Sequence, residues 1–290
     1  MDEILATLGE EITDAEEESF LLFSQDIPSH SLGILDPSSE LDISVGKKDF
    51  SIRQSLGVLS SNRAGGTTGA VVWKVTPRFS EWISSPENIL FRAGVMNQSS
   101  IVLELGCGIS GLIALTLAPF VGRYILTDQP YVFKLLSQNI DNNAQVQLSK
   151  GTNIRRKGRS SLHPAKSFQD KIQMKAFDWE LDSGLFVKEE APDIIIACDC
   201  IYNEGLITPF TQTCMDLCKS KPFASNIKPT VCIIAHQLRT PEVFEKWLAQ
   251  FLKYFRVWRV SEEPLSEELK ASSGFIIHIC MLKENIDAAG

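Results

Sequence analysis

The residues best suited to chemistry begin with a glycine-rich turn. Glu104-Leu-Gly106-Cys107-Gly108-Ile-Ser-Gly111 lies between an apolar run that predicts a strand and one that predicts a helix. Gly106 permits a tight turn, and Gly108 lets a ligand approach the backbone. This spacing binds several nucleotide-like cofactors, NAD included, and by itself does not choose among them. Glu104 is expected either to accept backbone N–H groups or to contact the cofactor.

Polar and aromatic residues follow the next two predicted strands. Asp128 lies about 20 residues beyond the glycine turn, where a carboxylate can accept both hydroxyls of a ribose. The alternative for Asp128 is a helix N-cap. In Phe177-Asp178-Trp179, Trp179 can offer a face to adenine and Asp178 an edge hydrogen bond. The alternative for Trp179 is a place in the core.

A fourth group, Cys198-Asp199-Cys-Ile-Tyr202, follows the fourth predicted strand. Ligands of open parallel sheets bind at the carboxyl ends of the strands. If a helical turn begins there, Asp199 and Tyr202 face the same way and can hold an incoming amine. The alternative is an N-cap aspartate beside a packed tyrosine. His236 ends the fifth strand and is expected to be structural.

The cysteines and serines indicate neither a metal site nor a nucleophile. The seven cysteines lie mostly in apolar runs and are expected to be reduced core thiols. Their spacing lacks the histidine partners of a zinc site, so no metal is expected. Ser110 belongs to the glycine turn and not to a nucleophile elbow.

The elements that must position these residues alternate along the chain from residue 100. Apolar strands are predicted at 101–105, 124–127, 172–177, 193–197, 230–235, 256–260 and 275–282, and helices at 112–120, 131–142, 206–218 and 241–254. This pattern predicts an α/β fold with a doubly wound, mostly parallel seven-stranded sheet. Because no helix separates the last two strands, the sheet should end antiparallel.

The first hundred residues have a different pattern. Residues 1–40 are expected to form an acidic, partly flexible segment with an amphipathic helix over 1–23. The catalytic domain is predicted over 41–290 and opens with a hairpin region, 41–69. Helical spacing then indicates a helix over 70–83.

Charge is divided unevenly in this chain of net charge −8. Nine acidic residues and no Lys or Arg occur up to Asp26, whereas a predicted insertion over 146–171 is strongly basic. The basic loop 150–175 can contact an anionic surface such as RNA, the alternative being a solvated loop. No apolar run reaches membrane length and the start is not a secretory signal. We expect a cytoplasmic monomer, a nuclear location remaining open, without a membrane partner.

Together the motifs resemble a known family. Several elements look like those of the class I lysine methyltransferases of methyltransferase family 16: Gly69-Ala-Val-Val-Trp73, the glycine turn, Leu-Thr-Asp128, Asn139 with Asn142 or Asn143, Phe-Asp-Trp179 and the Asp-x-x-Tyr of Asp199 and Tyr202. The resemblance runs from about Leu41 to Leu282. Lys74 departs from the Pro or Ser of many members. The layout is similar to that of fungal members that act on ribosomal proteins.

The resemblance implies a Rossmann-like protein-lysine methyltransferase that uses S-adenosyl-L-methionine. Two residues, Asp199 and Tyr202, would face the target lysine, in a ribosomal, large-subunit protein. The cofactor pocket would be lined by Trp73, Gly106, Cys107, Gly108, Asp128, Trp179 and Cys198. The alternatives are methylation of another protein, a nucleic acid or a small molecule, a non-catalytic cofactor-binding scaffold, and an NAD-linked dehydrogenase.

Overall fold

The fold is taken from a computed structural model. It describes residues 4, 8–28, 33–61, 66–151, 168–182, 191–221, 228–261 and 265–284, with the backbone alone over 145–151 and at 168. The strands are β1 (Glu11–Ile12), β2 (Glu40–Val45), β3 (Lys48–Arg53), β4 (Ile101–Leu105), β5 (Arg123–Asp128), β6 (Ile172–Ala176), β7 (Ile194–Cys198), β8 (Val231–Gln237), β9 (Phe255–Arg259) and β10 (Phe275–Leu282). The α-helices are α1 (Ala15–Phe23), α2 (Leu56–Leu59), α3 (Val75–Ser84), α4 (Ile89–Arg92), α5 (Leu112–Leu117), α6 (Phe133–Gly151), α7 (Ile207–Lys219) and α8 (Pro241–Leu252).

The central sheet has the order β1-β9-β10-β8-β7-β4-β5-β6. Strands β8, β7, β4, β5 and β6 run parallel, while β10 is antiparallel to both β8 and β9. The predicted seven strands and the antiparallel end are confirmed. An eighth strand comes from β1, whose Ile12 pairs with Val257 at the edge of β9. Two residues are too few to give a strand pattern in the sequence.

Helices cover both faces of this sheet, which explains why its inner strands are apolar throughout. Every residue of β7, β8 and β10 is buried. On one face the core is formed with α3, α5 and α6, and on the other with α1, α7 and α8. The strand β4 contributes to both cores in alternation, with Val102 in the first and Leu103 in the second.

The hairpin of β2 and β3 is fixed to the domain by two asparagines of α6. Asn139 donates to the carbonyl oxygens of Arg53 and Ile109, at 2.9 and 2.8 Å, and accepts the N–H of Arg53 at 2.9 Å. Asn143 likewise accepts the N–H of Ser51 at 2.9 Å and donates to its carbonyl at 2.8 Å. These two amides therefore join the hairpin to α6, and Asn139 also joins it to the loop before α5.

The helix predicted over 1–23 is interrupted: Ile4 is helical, residues 8–10 are not, and residues 1–3 and 5–7 lie outside the described residues. β1 occupies Glu11–Ile12, and α1 begins only after Asp14, whose carboxylate accepts the N–H groups of Glu16 and Glu17 at 2.8 and 3.0 Å. The helix packs against α8, with Leu22 fully buried. Both β1 and α1 precede the predicted domain start at residue 41 and pack on the domain.

The helix predicted over 70–83 is also shorter than expected. Its first residues are extended, because the N–H of Leu35 donates to the carbonyl of Val72 and Lys74 donates to Gly33, at 2.9 and 2.8 Å. The α-helix begins only at Val75. The first residues of the predicted basic insertion continue α6 to Gly151, and residues 152–167 lie outside the described residues. Within the described residues, no helix is both long and apolar enough to cross a membrane.

Candidate active site

A cleft of about 900 Å³, its open mouth included, lies at the carboxyl ends of the parallel strands. It has the location that open α/β sheets favour for ligands. It is lined by all eleven residues predicted from the sequence: Trp73, Glu104, Gly106, Cys107, Gly108, Asp128, Asp178, Trp179, Cys198, Asp199 and Tyr202. The structure thus brings them together, while the role of each stays a prediction.

The glycine turn forms the floor of the cleft between β4 and α5. Gly106 and Gly108 have φ angles of +66° and +58°, which side chains with a Cβ rarely adopt. A Cβ on Gly106 would lie 2.8 Å from the sulfur of Cys200, and one on Gly108 would lie 3.2 Å from the carbonyl oxygen of Gly69. The turn is therefore closed in by two other segments, and only glycine fits without displacing them.

In the described part of the chain, the carboxylate of Asp128 accepts hydrogen bonds from backbone N–H groups, one of them in this turn. Its Oδ2 accepts the N–H of Gly108 at 2.8 Å, and its Oδ1 accepts the N–H of Gln129 at 2.7 Å. Burial raises its pKa to about 6, against the lowering effect of these two hydrogen bonds. The side chain does not cap a described helix turn: the next one, Pro130–Val132, begins after Gln129. A carboxylate so placed can accept further hydroxyl donors from a ligand.

Glu104 lies deeper and is held by a side chain. Its Oε2 accepts the hydroxyl of Tyr124 at 2.5 Å, and no described backbone N–H donates to it. One expectation for Glu104 was that it accepts backbone N–H groups. The described donor is instead the Tyr124 hydroxyl. Burial raises its pKa to about 8, and the neighbouring Asp128 adds to the rise. Glu104 is consequently mostly protonated at neutral pH until a cation reaches it.

The segment after β6 forms a side wall. Trp179 is half-buried, packs edge-on against Phe210 with 5.4 Å between ring centroids, and lies beside Gly106. Asp178 accepts the N–H of Glu180 at 3.0 Å, which folds the segment into a turn. Trp179 therefore both lines the cleft and contributes to the core, so the two readings of this residue are compatible.

The opposite wall contains residues that the sequence motifs missed. Gly69 accepts the N–H of Ile109 at 2.9 Å and donates its own N–H to the hydroxyl of Tyr131 at 3.1 Å. Trp73 donates its indole N–H to the carbonyl of Thr68 at 3.2 Å. Gly69 belongs to the Gly69–Trp73 motif, but its contact with Tyr131 was not foreseen, because Tyr131 is 62 residues away and matches no motif.

Asp199 differs from the expectation in two respects. It has a φ angle of +60°, so the condition of a helical turn from Asp199 to Tyr202 is not met, and a short helix begins only after Asn203. Its side chain is only 2% exposed, and its two oxygens accept both terminal nitrogens of Arg239 at 2.8 and 2.5 Å. The carboxylate is thus already paired inside the protein and is not a free attractor for an amine.

Arg239 is the principal residue that sequence reasoning missed. It lies two residues beyond β8, at the same edge of the sheet as the cleft, and this position was the only available signal. His236, also at the end of β8, is buried against Trp247 with 4.2 Å between ring centroids. Burial lowers its pKa well below the ordinary value, which agrees with the structural role expected for it.

The remaining predicted groups are neutral. The hydroxyl of Tyr202 accepts from the Thr68 hydroxyl at 3.0 Å, and burial raises its pKa although the residue is 41% exposed. Burial also raises the pKa of the Cys107 and Cys198 thiols well above the ordinary value, so neither is a thiolate nucleophile. All seven cysteines are buried and unpaired, as expected. In the described part of the chain no group of ligands could hold a metal ion.

The match to a family model decides the affiliation of this site. The model described as lysine methyltransferase, of methyltransferase family 16, matches residues 53–243, a span that contains the whole cleft. The chain belongs to this lysine methyltransferase family. The resemblance noted from the motifs is thereby confirmed, and so is the prediction of a methyltransferase enzyme.

Curated relatives of this lysine methyltransferase come from yeasts. The ribosomal lysine N-methyltransferase 5 of Kluyveromyces lactis is 31% identical over 87% of this chain and 90% of its own. That of Zygosaccharomyces rouxii is 29% identical over 79% and 78%. A protein of Schizosaccharomyces pombe named diaminohydroxyphosphoribosylamino-pyrimidine deaminase is 29% identical over 90% of this chain, which spans only 57% of that protein.

Solved structures are similar to this lysine methyltransferase only at low scores. The N-methyltransferase NodS of Bradyrhizobium japonicum, in complex with S-adenosyl-L-homocysteine, has a TM-score of 0.39 at 14% identity and covers 64% of this chain and 79% of its own. The CurJ carbon methyltransferase has a TM-score of 0.37 at 14% identity over 64% and 49%. Likeness at this level defines no function, and the sheet order itself defines the fold class.

Proposed function

We propose that this chain transfers a methyl group from S-adenosyl-L-methionine to the side-chain amine of a lysine in a ribosomal protein. The observation that carries the proposal is the cleft, which brings the glycine turn, Glu104 and Asp128 together with Asp199 and Tyr202. Methyl transfer to an amine needs both groups in one cleft, because a cofactor and a side chain must meet end to end.

The residues present fit this cofactor. Its adenosine part needs a backbone cradle, a carboxylate for the ribose hydroxyls and an aromatic face. The Gly106–Gly108 turn, Asp128 and Trp179 supply these three features within one cleft. The ammonium of its methionine part needs an acceptor, and the buried carboxyl of Glu104 can provide one. Its pKa is about 8, and a cation beside it would lower that pKa. When bound, the cofactor supplies an electrophilic methyl group.

The protein's own contribution is binding, orientation and exclusion of water. A lysine amine has a pKa near 10.4 in water and must lose a proton before it can attack. The Asp199 carboxylate is paired, and the Tyr202 phenol and the Cys198 thiol have raised pKa values, so none of the three is a strong base at neutral pH. We therefore infer that the proton leaves to solvent through the mouth, where Tyr202 is exposed.

The ribosomal substrate follows from the relatives. Two curated relatives are named ribosomal lysine N-methyltransferases, and this chain covers 78% and 90% of their lengths. We propose a large-subunit protein as the substrate and the cytoplasm as the location. The basic segment 150–175, which lies largely outside the described residues, would contact ribosomal RNA by its positive charge.

The test is methylation of ribosomes that have never met the enzyme. Ribosomal subunits are purified from cells lacking this gene and incubated with the protein and tritiated cofactor. We expect one labelled large-subunit protein, with methyllysine found by mass spectrometry. Asp128→Ala is the matched control, because it should lose the label together with cofactor binding. Labelling of RNA instead, or of no ribosomal component, would contradict the proposal.

A further inference from the structure

Asp199 and Arg239 form an ion pair whose arginine stays outside the cleft. The Asp199 side chain lines the cleft, whereas the Arg239 guanidinium, 21% exposed, does not appear among its lining residues. Arg239 instead lines a small crevice next to it, together with Tyr202 and His236. Any influence of Arg239 on a reaction in the cleft must therefore pass through its partners.

Arg239 is fixed from several sides. Its Nη2 also donates to the side-chain oxygen of Gln237 at 3.0 Å, and its guanidinium lies over the Trp73 ring, 5.5 Å from the centroid. The backbone at Gly33 comes so close that a Cβ there would lie 2.5 Å from Nη2. A bidentate pair held in this way has one geometry, because the planar fork of arginine matches the two carboxylate oxygens.

Asp199 itself is held in an unfavourable backbone conformation. Its φ angle of +60° is uncommon for a residue with a side chain, and Gln237 adds a backbone N–H to its Oδ1 at 3.3 Å. Such strain persists where the surroundings hold the residue in place. The Arg239 fork is the strongest of these contacts, so Arg239 determines where the Asp199 carboxylate points.

We propose that Arg239 is a positioning residue for methyl transfer, which clamps and neutralises Asp199 so that the target amine meets no free negative charge. This inference rests on the function proposed above. A free carboxylate in the cleft would bind the lysine in its ammonium form and raise its pKa. The ammonium has no lone pair, so tighter binding would come with slower transfer. With Arg239 in place, the wall beside the amine has no net charge.

Other titratable groups around the pair do not provide this control. The Cys198 and Cys200 thiols, which feel the charge of Asp199, have pKa values raised by burial. The pKa of His236, which feels the charge of Arg239, is lowered by burial, and that of Tyr202 is raised by burial. All four are uncharged between about pH 7 and pH 9. Glu104, in the same cleft, has a pKa of about 8, but it is present in the wild type and in the Arg239 variants alike. A difference between their pH profiles would therefore report on the amine beside Asp199.

Arg239→Gln tests the inference, because it frees the carboxylate while keeping a hydrogen-bonding side chain. Rates are measured from pH 6.5 to pH 10 with ribosomal subunits from cells lacking the gene. We expect the turnover number to fall about tenfold or more near pH 7.5, a barrier increase of about 1.4 kcal/mol. KM for the subunits should stay equal or fall, and the rising limb of the profile should move to higher pH. Binding of S-adenosylhomocysteine should change less than about threefold.

Two further variants keep the result interpretable if Arg239→Gln folds poorly. Asp199→Asn with Arg239→Gln removes both charges and should return the pH profile towards that of the wild type. Arg239→Lys keeps the charge without the fork and should give a smaller shift in the same direction. A wild-type pH profile in both single variants would overturn the inference and leave the proposed function intact. Wild-type protein that methylates no subunit would overturn the proposed function as well.

Discussion

Two aspartates at the same edge of the sheet have opposite electrostatic situations. Among the described residues, Asp128, at the end of β5, accepts the backbone N–H groups of Gly108 and Gln129, and burial raises its pKa to about 6. Asp199, directly after β7, has both oxygens on the Arg239 guanidinium. Asp128 therefore has acceptor capacity left for a ligand, whereas Asp199 is satisfied by the protein itself.

On this difference we propose a binding role for Asp128 and a structural one for Asp199 in the same cleft. Burial without a cation leaves a carboxylate that gains from donors brought by a ligand, which is the common situation at binding sites. Burial with a bidentate arginine leaves a pair that loses stability when either partner is removed. Substitution of Asp128 should therefore weaken cofactor binding, whereas substitution of Asp199 should lower stability and turnover.

Asp199→Asn should have the largest effect on the folded state. It leaves the partly buried Arg239 charge without its carboxylate, with only the Gln237 side-chain oxygen and the Trp73 ring beside it among the described contacts. We expect a loss of about 3 kcal/mol in the free energy of unfolding, measured by urea denaturation. Turnover should fall by roughly 10²-fold, while affinity for S-adenosylhomocysteine changes less than about threefold. Parallel loss of cofactor affinity would place Asp199 on the cofactor side and remove the contrast with Asp128.

Asp128→Ala should instead act on binding. The hydrogen bonds from a ribose to this carboxylate would vanish, and we expect affinity for S-adenosylhomocysteine to fall by about 2–4 kcal/mol. Titration calorimetry measures the loss, and urea denaturation without ligand is the control. Wild-type affinity in this variant would show that Asp128 only fastens the glycine turn through Gly108.

Glu104 sharpens the comparison, since it too is buried without a cation. In the ligand-free protein its pKa is raised from 4.5 to about 8. The unfolded chain therefore ionises first, so the free energy of unfolding should fall as the pH rises from about 4.5 to 8. In Glu104→Gln this part of the pH dependence should disappear.

The same carboxyl should release a proton when the cofactor binds. An ammonium placed beside Glu104 favours the ionised form, so binding of S-adenosylhomocysteine near pH 7 should release up to about one proton. Calorimetry in two buffers of different ionisation enthalpy measures this number, and Glu104→Gln should reduce it. Equal proton release in the two proteins would mean that the ligand's charge does not reach Glu104.

These contrasts show which parts could be foreseen from the sequence. The apolar strands and the glycine turn depend on local signals, and Asp128 was found because it ends the strand that follows the turn, 20 residues from Gly108. The pairing of Asp199 with Arg239 joins residues 40 positions apart, and nothing local tells which cation will reach a given carboxylate. The helical turn considered at Asp199 is absent, since this residue has a left-handed backbone.

Tyr202→Phe should have the smallest effect. The ring stays at the mouth of the cleft, and only one hydroxyl is lost, whose described partner is the Thr68 hydroxyl at 3.0 Å. One hydrogen bond contributes about 0.5–1.5 kcal/mol, so turnover should fall by no more than about tenfold. Because burial keeps the phenol pKa above its ordinary value, the pH profile below pH 9 should not change. Thr68→Val is the matched control, since it removes the donor and keeps the tyrosine. A loss of about 10²-fold in Tyr202→Phe with a mild Thr68→Val would instead place the phenol among the groups that touch the reacting amine.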